Sequence, residues 1–248
     1  LTGNRKIFFA SDFHLGLNAG SDPLDREKKV VRWLRSVAPE AKEIYLLGDV
    51  FDFWWEYGSV VPKGFTRFLG TISELTDSGI PVHFFTGNHD MWIRDYFQKE
   101  CGMITHTGPL SFTSGAKNFH LAHGEGLGTQ DAGYRMLLSV FRNKTLQALY
   151  SMIHPAIGLG IGHRWSLSSR LGKGIRLEFM GDEKEDLIRY SRSVLKQEHT
   201  DYFIFGHRHL GISYKMNEGP EIIFLGDWIM DGSYAVWDCE ALRFLSFE

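Results

Sequence analysis

Glu43-Ile44-Tyr45-Leu46-Leu47-Gly48-Asp49-Val50-Phe51-Asp52 is the stretch on which the fold turns. Glu43–Leu47 reads as a β-strand, and it stops at a glycine followed at once by a carboxylate. The same rhythm recurs on both sides. Lys6–Ala10 is an apolar run that ends in Ser11-Asp12-x-His14. Pro81–Thr86 runs into Gly87-Asn88-His89-Asp90. Asn118–Ala122 delivers His123-Gly124, and Tyr202–Phe205 delivers Gly206-His207-x-His209. A packed domain that gathers one or two polar side chains from the end of each of several strands is building a dinuclear metal site.

The donor types fit that reading. Carboxylate, amide oxygen and imidazole suit a divalent transition metal, Mn²⁺ first, with Zn²⁺ or Fe²⁺ as alternatives. No cysteine falls in a motif, which argues against a structural zinc site. Alternation in Asp12-x-His14 and in His207-x-His209 is expected to put both side chains on one side of an extended backbone. Asp49 is expected to bridge two ions about 3.5–4 Å apart, the separation that clamps a phosphoryl group. Two such ions make water nucleophilic at neutral pH. His83, His106, His120 and His199 lie outside the motifs and are expected to be hydrogen-bonded interior residues.

Between the motifs, strand and helix patterns alternate. Helices are expected from Pro23, capped by Asp22, to Val37, and over Phe65–Thr76, Trp92–Glu100 and Asp182–Glu198, the last capped by Asp182. Leu110–Thr113 and Asn118–Ala122 read as a hairpin. The tail reads as strands at Ile212–Met216, Ile222–Leu225, Tyr234–Asp238 and Leu242–Phe247. Alternation followed by antiparallel strands gives an α/β mixed sheet stack with helices outside.

The 248 residues suit one domain, or one domain with an insertion, and 43% hydrophobic residues suffice for a core. A formal charge of −3 gives no case for a nucleic-acid partner. Two cysteines, Cys101 and Cys239, cannot make a disulfide framework, and a reducing compartment is expected. Ile7–Ala10 is too short for a signal core, and the chain opens on Leu1 without a methionine. Charge is uneven. From Gly124 to Gly181 seven basic residues (Arg135, Arg142, Lys144, Arg164, Arg170, Lys173, Arg176) meet three acids, a net +4 in an otherwise acidic chain. The same segment is rich in Leu137, Leu138, Phe141, Leu149, Met152, Ile153, Ile157, Leu159, Ile161 and Trp165. Leu146–Gly162 is too broken to span a bilayer, which needs about 20 apolar residues. A self-packing subdomain or an oligomer interface is the plain alternative to a lipid-binding role.

Taken in order, the five motifs resemble those of the calcineurin-like metallophosphoesterases. The resemblance implies a four-layer α-β-β-α sandwich over 1–248 with a helical lid inserted at 124–181. It implies that Asp12, His14, Asp49 and His209 hold one metal and that Asp49, Asn88, His123 and His207 hold the other. His89 would act on the scissile phosphate without ligating, Asp90 would orient His89, and Asp52 would support the ligand shell. Gly48–Trp54 and His123–Tyr134 further resemble the UDP-diacylglucosamine pyrophosphatases of lipid A biosynthesis. There Asp131 and Tyr134 would hold the glucosamine-phosphate head group.

The family's known proteobacterial members have Gly-Asn-Arg-Asp where this chain has Gly87-Asn88-His89-Asp90, so the resemblance is to a Bacteroidetes-type form. It implies Mn²⁺-dependent hydrolysis of a lipid-linked nucleotide sugar by a cytoplasmic enzyme peripheral on the inner membrane. Leu138 and Phe141 are expected to line the acyl tunnel. Hydrolysis of another phosphodiester or phosphomonoester, and a non-catalytic metal-binding scaffold, are the alternatives. The sequence leaves the oligomeric state open.

Overall fold

Two β-sheets lie face to face, and their parallel strands end on the same side of the molecule. The computed structural model describes residues 5–19, 22–129, 131–173 and 178–248. Leu1, Gln130 and Arg176, and the side chains of Arg170 and Lys173, lie outside the described residues. In chain order the elements are β1 (Lys6–Ala10), α1 (Pro23–Val37), β2 (Ala41–Leu47), α2 (Thr66–Asp77), β3 (Val82–Phe85), α3 (Tyr96–Cys101) and β4 (Ile104–His106). Then come β5 (Leu110–Ser114), β6 (Lys117–Ala122), α4 (Ala132–Arg142), α5 (Lys144–Ser151), α6 (Pro155–Lys173) and α7 (Asp186–Leu195). The chain closes with β7 (Tyr202–Phe205), β8 (Ile212–Lys215), β9 (Glu221–Phe224), β10 (Ser233–Trp237) and β11 (Leu242–Ser246).

The first sheet has the order β11-β10-β1-β2-β3-β4 and the second β5-β6-β7-β9-β8. β1 through β4 pair in parallel, as do β6, β7 and β9. Side chains alternate across each strand and divide between two cores. Phe8, Ala10, Ile44, Leu46, Val82 and Phe84 face α1, α2 and α3. Ile7, Phe9, Tyr45, Leu47 and Phe85 face the second sheet. α7 covers the far face of that sheet through Leu187, Ile188 and Val194. The result is an α-β-β-α sandwich with α4–α6 inserted between β6 and α7. Each fully buried Phe or Leu contributes about 1.5–3 kcal/mol.

Local chemistry explains the boundaries. Asp22 accepts a hydrogen bond from Leu24 N at 2.7 Å and Pro23 opens α1. Two helices begin later than the sequence suggests. α3 starts at Tyr96 because Trp92 pairs with Trp55 in an isolated bridge. The buried Glu56 carboxylate then takes the N–H groups of Arg94, Asp95 and Tyr96 at 2.7, 3.0 and 3.4 Å. α7 starts at Asp186 because the Asp182 carboxylate is drawn away to Arg192 and the Tyr214 hydroxyl. His83 bonds His106 at 2.9 Å, and His120 bonds Ser111 and Tyr190 at 2.8 and 3.0 Å. His199 is exposed, which corrects its assignment to the interior.

The insertion sits on an aromatic floor. Phe53, Trp55, Tyr57 and Trp92 pack against Phe141, Tyr150 and Leu159. Two glycines in α6 allow this approach. A Cβ on Gly162 would stand 2.2 Å from Phe53 Cζ, and one on Gly158 would stand 2.2 Å from Tyr57 Oη. Glycine inside a helix costs about 1 kcal/mol, so the close contact offsets an intrinsic penalty. Overpacking costs typically about 1–3 kcal/mol. Gly162→Ala is therefore expected to raise amide exchange in α4–α6 roughly 5- to 100-fold while β1 and β2 keep their protection. Unchanged exchange in α6 would show that the helix is not seated on Phe53.

Candidate metal centre

Asp12, His14, Asp49, His207 and His209 all have left-handed backbones, with φ of 57, 45, 51, 64 and 51°. Among the described non-glycine residues only Phe65 and Cys239 share that conformation. It costs of order 1–3 kcal/mol per residue and persists only where the surroundings impose it. The expectation of an extended backbone at the two His-containing pairs is thus corrected. Each chain turns sharply at the strand end, and the turn aims the side chain inward. The loops after β1 and β2 are zipped together: Asp12 N and His14 N donate to Gly48 O and Asp49 O, both at 3.0 Å.

The side chains meet in overlapping groups. His209 Nε2 lies 3.0 Å from Asp12 Oδ1 and 3.3 Å from His14 Nε2. His14 Nε2 lies 3.9 Å from Asp49 Oδ2, and His123 Nε2 lies 3.4 Å from the same oxygen. Asp12, His14 and His209 can close on one ion, and Asp49, His123 and His207 on another. His89 joins a third group with His14 and Asp49, its Nε2 being 3.9 Å from Asp49 Oδ2. Two buried polar atoms here have no hydrogen-bond partner, Asn88 Oδ1 and His123 Nε2, and Asp12 Oδ1 faces the His209 ring. Such atoms are costly. Carboxylate, amide oxygen and imidazole are what a divalent ion accepts, so the residues fit a pair of cations. Asp49 is the carboxylate between the two groups.

Outer contacts fix the rings. His123 Nδ1 donates to Leu47 O at 2.7 Å, and His209 Nδ1 is 3.0 Å from Asp227 Oδ2. Each contact leaves Nε2 facing the centre. Burial pushes the Asp12 carboxyl up, but the charge and hydrogen bond of His209, with the contributions of His14 and His123, together outweigh it and hold Asp12 below its usual range. Burial and then His123 act the same way on Asp49. Against its own burial, His209 is pushed up to about 10 by Asp12 and Asp227. His207 is lowered to about 3 by burial and by the charge of His123. Without a cation, protons on histidine balance the two carboxylates; a bound metal takes their place.

Other sequence-predicted residues take different places. Asp90 does not touch the His89 ring. Its carboxyl accepts from Gly87 N, Val50 N and Phe51 N at 2.7, 2.8 and 3.3 Å, tying the Asn88 turn to the Asp49 turn. Burial, then Asp49, raises it to about 7. The His89 ring instead places Nδ1 2.8 Å from Asp52 O. Asp131 is exposed and caps α4, accepting from Tyr134 N at 3.0 Å. Tyr134 is half-buried, and its phenol is pushed up by burial and then by Glu125 and Asp49.

Three supports escaped the sequence reading. Asp227 follows β9 in Gly226-Asp227, the same strand–Gly–Asp rhythm as Gly48-Asp49, and that rhythm could have found it. Arg208, between the two histidines, makes a two-pronged pair with buried Glu185 at 2.9 and 3.0 Å. Arg26, 2% exposed, donates to His14 O, Leu17 O and Ala19 O. Nothing in the helical pattern of α1 marks it.

Two cavities lie under the insertion. An apolar one of about 380 Å³ lies over the aromatic floor, lined by Phe53, Trp55, Trp92, Phe141, Tyr150 and Trp165 among others. A more polar one of about 350 Å³ opens beside His123 with Thr86, Thr107, Glu125, Arg135 and Arg142. Phe141 lines the apolar cavity as expected. Leu138 does not; it packs into the polar one because α4 turns that face toward the Gly124–Leu127 loop.

A family model described as calcineurin-like phosphoesterase matches residues 5–211. The UDP-2,3-diacylglucosamine hydrolase of Porphyromonas gingivalis is 40% identical, with 98% of each chain covered. Its namesake from Aeromonas hydrophila is 28% identical, covering 92% of each chain. That from Histophilus somni is 26% identical, covering 90% of this chain and 92% of its own.

Two outcomes test this geometry. Asp227→Asn is expected to weaken divalent-metal affinity about 10- to 100-fold by equilibrium dialysis; unchanged affinity would remove Asp227 from the site. The second concerns pH. His209 rises from 6.5 to about 10 on folding, so its stabilisation of metal-free protein is complete below 6.5 and lost as pH climbs toward 10. Metal needs the neutral ring. The gain in Tm on adding divalent metal should therefore grow over that range, and a gain that shrinks contradicts it.

Proposed function

The chain belongs to the calcineurin-like phosphoesterase family, and from that premise we propose that it hydrolyses UDP-2,3-diacylglucosamine to UMP and 2,3-diacylglucosamine 1-phosphate, a step of lipid A biosynthesis. The observation that carries the reading is the 40% identity to a UDP-2,3-diacylglucosamine hydrolase along 98% of both chains. The dinuclear ligand set and the apolar cavity under the insertion support the same substrate.

Asp12, His14, Asp49 and His209 would hold one ion, and Asp49, Asn88, His123 and His207 the other. Mn²⁺ is proposed for both. Bound there, the pair supplies a water activated at neutral pH and charge neutralisation for the phosphoryl oxygens. The protein does the rest. His89 turns Nε2 toward Asp49, 3.9 Å away, where it would meet the phosphoryl group and, with both ring nitrogens protonated, stabilise its charge or protonate the leaving oxygen. Asp90 keeps the Asn88 and Asp49 turns in register, and Asp52 holds His89 through its carbonyl. Tyr134 and Asp131, on the first turn of α4, are proposed to meet the glucosamine phosphate.

Residues 124–181 are proposed to be a lid within a single domain. Its helices roof the apolar cavity, where each buried acyl methylene is worth about 0.8 kcal/mol. The outer surface of the lid is apolar too: Leu149, Met152 and Ile157 are exposed by 57, 82 and 59%. No helix among the described residues is long and apolar enough to cross a membrane. We therefore place the protein on the cytoplasmic membrane surface, with the lid toward the lipid.

Hydrolysis in ¹⁸O-water tests the cleavage. Label is expected in UMP, from attack on the α-phosphorus. Label in the sugar phosphate would reverse the substrate pose, and cleavage of small phosphodiesters alone would mean another substrate. His89→Ala is expected to keep two metals and lose about 10²–10⁴-fold in turnover; loss of one metal equivalent would make His89 a ligand. Phe141→Gln should raise KM for the diacylated substrate and spare a small chromogenic diester. A parallel fall in both activities with lower Tm would make the insertion a packing subdomain.

A further inference from the structure

Ser166 lies in α6, outside every motif, yet it reaches the His89 ring. It is 0% exposed. Its Oγ stands 2.9 Å from Asp52 Oδ1 and 3.2 Å from His89 Nδ1, the same nitrogen that lies 2.8 Å from Asp52 O. A carbonyl oxygen only accepts, so Nδ1 carries the hydrogen and shares it between Asp52 O and Ser166 Oγ. Ser166 passes its own hydrogen to the Asp52 carboxylate. The ring is left with Nε2 toward Asp49.

The route by which Ser166 arrives is also visible. Gly158, Gly162 and Ser166 are spaced by four and share one face of α6. The first two lack side chains where Tyr57 and Phe53 press against the helix. That lowers α6 far enough for the third to touch His89. His163, on the next turn, adds a second hold, its Nδ1 being 3.7 Å from Asp52 Oδ2.

We propose that Ser166 is a positioning residue for His89, so that seating of the insertion sets the orientation and tautomer of the ring that meets the phosphoryl group. The proposal rests on the reading above that His89 acts on the reaction. It makes the helix that roofs the apolar cavity a part of the catalytic apparatus. A chain whose α6 is lifted binds its metals and holds a misdirected His89.

The test uses the Mn²⁺-loaded full chain with Ser166→Ala, Ser166→Thr, His89→Ala and the double variant Ser166→Ala/His89→Ala. Substrates are UDP-2,3-diacylglucosamine and bis(p-nitrophenyl) phosphate. Ser166→Ala should keep two metals and an unchanged KM, while kcat falls roughly 10- to 100-fold on both substrates, the loss one such hydrogen bond supports. Ser166→Thr, which keeps the hydroxyl, should recover most of it. The double variant should be no slower than His89→Ala. In metal-free protein, the His89 Nδ1–H resonance in ¹⁵N-labelled wild type should broaden or disappear in Ser166→Ala. An unchanged kcat, a rise in KM alone, loss of a metal equivalent, or additive losses in the double variant would overturn the proposal; a rise in KM alone would make Ser166 a substrate contact. Full turnover in His89→Ala would instead overturn the role of His89, and the positioning role with it.

Discussion

Asp12 and Asp49 are buried, 0 and 2% exposed, within a few ångströms of one another's histidine partners. Two ionised carboxylates so placed are intolerable without positive charge between them. That constraint organises the rest of the molecule. It explains why several imidazoles converge on these oxygens, why His209 and His123 hold protons so strongly, and why a cation pair is the natural occupant. It also explains the backbone. Asp12, His14, Asp49, His207 and His209 stay left-handed because only a sharp turn at a strand end brings a side chain back over the sheet edge. The strain is held by what surrounds it: Arg26 on three carbonyls, Arg208 on Glu185, and Asp90 on three N–H groups.

Parallel pairing is what turns scattered motifs into one site. β1, β2 and β3 end level with each other, as do β6, β7 and β9. Six strand ends therefore present Asp12, Asp49, Asn88, His123, His207 and Asp227 at one edge of the sandwich. The principle that ligands gather at the carboxyl ends of parallel strands applies to both sheets at once.

Much of this was legible from residues alone. A strand that breaks at Gly48-Asp49 or Gly87-Asn88 is a local signal, and a polar residue at a strand end recurs at Asp12, His123 and His207. The strands were readable because Phe9 and Ala10, or Leu46 and Leu47, are all apolar, and the structure divides them between two cores. What could not be read depends on distance in space. The left-handed φ of Asp12 and His14 goes with a loop zipped to the loop after β2. Arg26 looks like any exposed helix residue until three carbonyls are seen around it. Asp182 reads as a helix cap until Arg192 and Tyr214 draw it away. Leu138 was expected to line the acyl tunnel, whereas α4 turns it toward the polar cavity. The insertion shows the same division: its apolar excess was plain, and the glycine face that seats α6 on Phe53 and Tyr57 was not.

The central claim is that one carboxylate, Asp49, is shared by two cations. Crystals of the protein grown with Mn²⁺ and measured at the manganese absorption edge test it most directly. Two anomalous peaks within about 4 Å, one on each side of the Asp49 carboxylate, are predicted. A single peak in fully loaded crystals, or two peaks of which only one touches Asp49, would contradict the account.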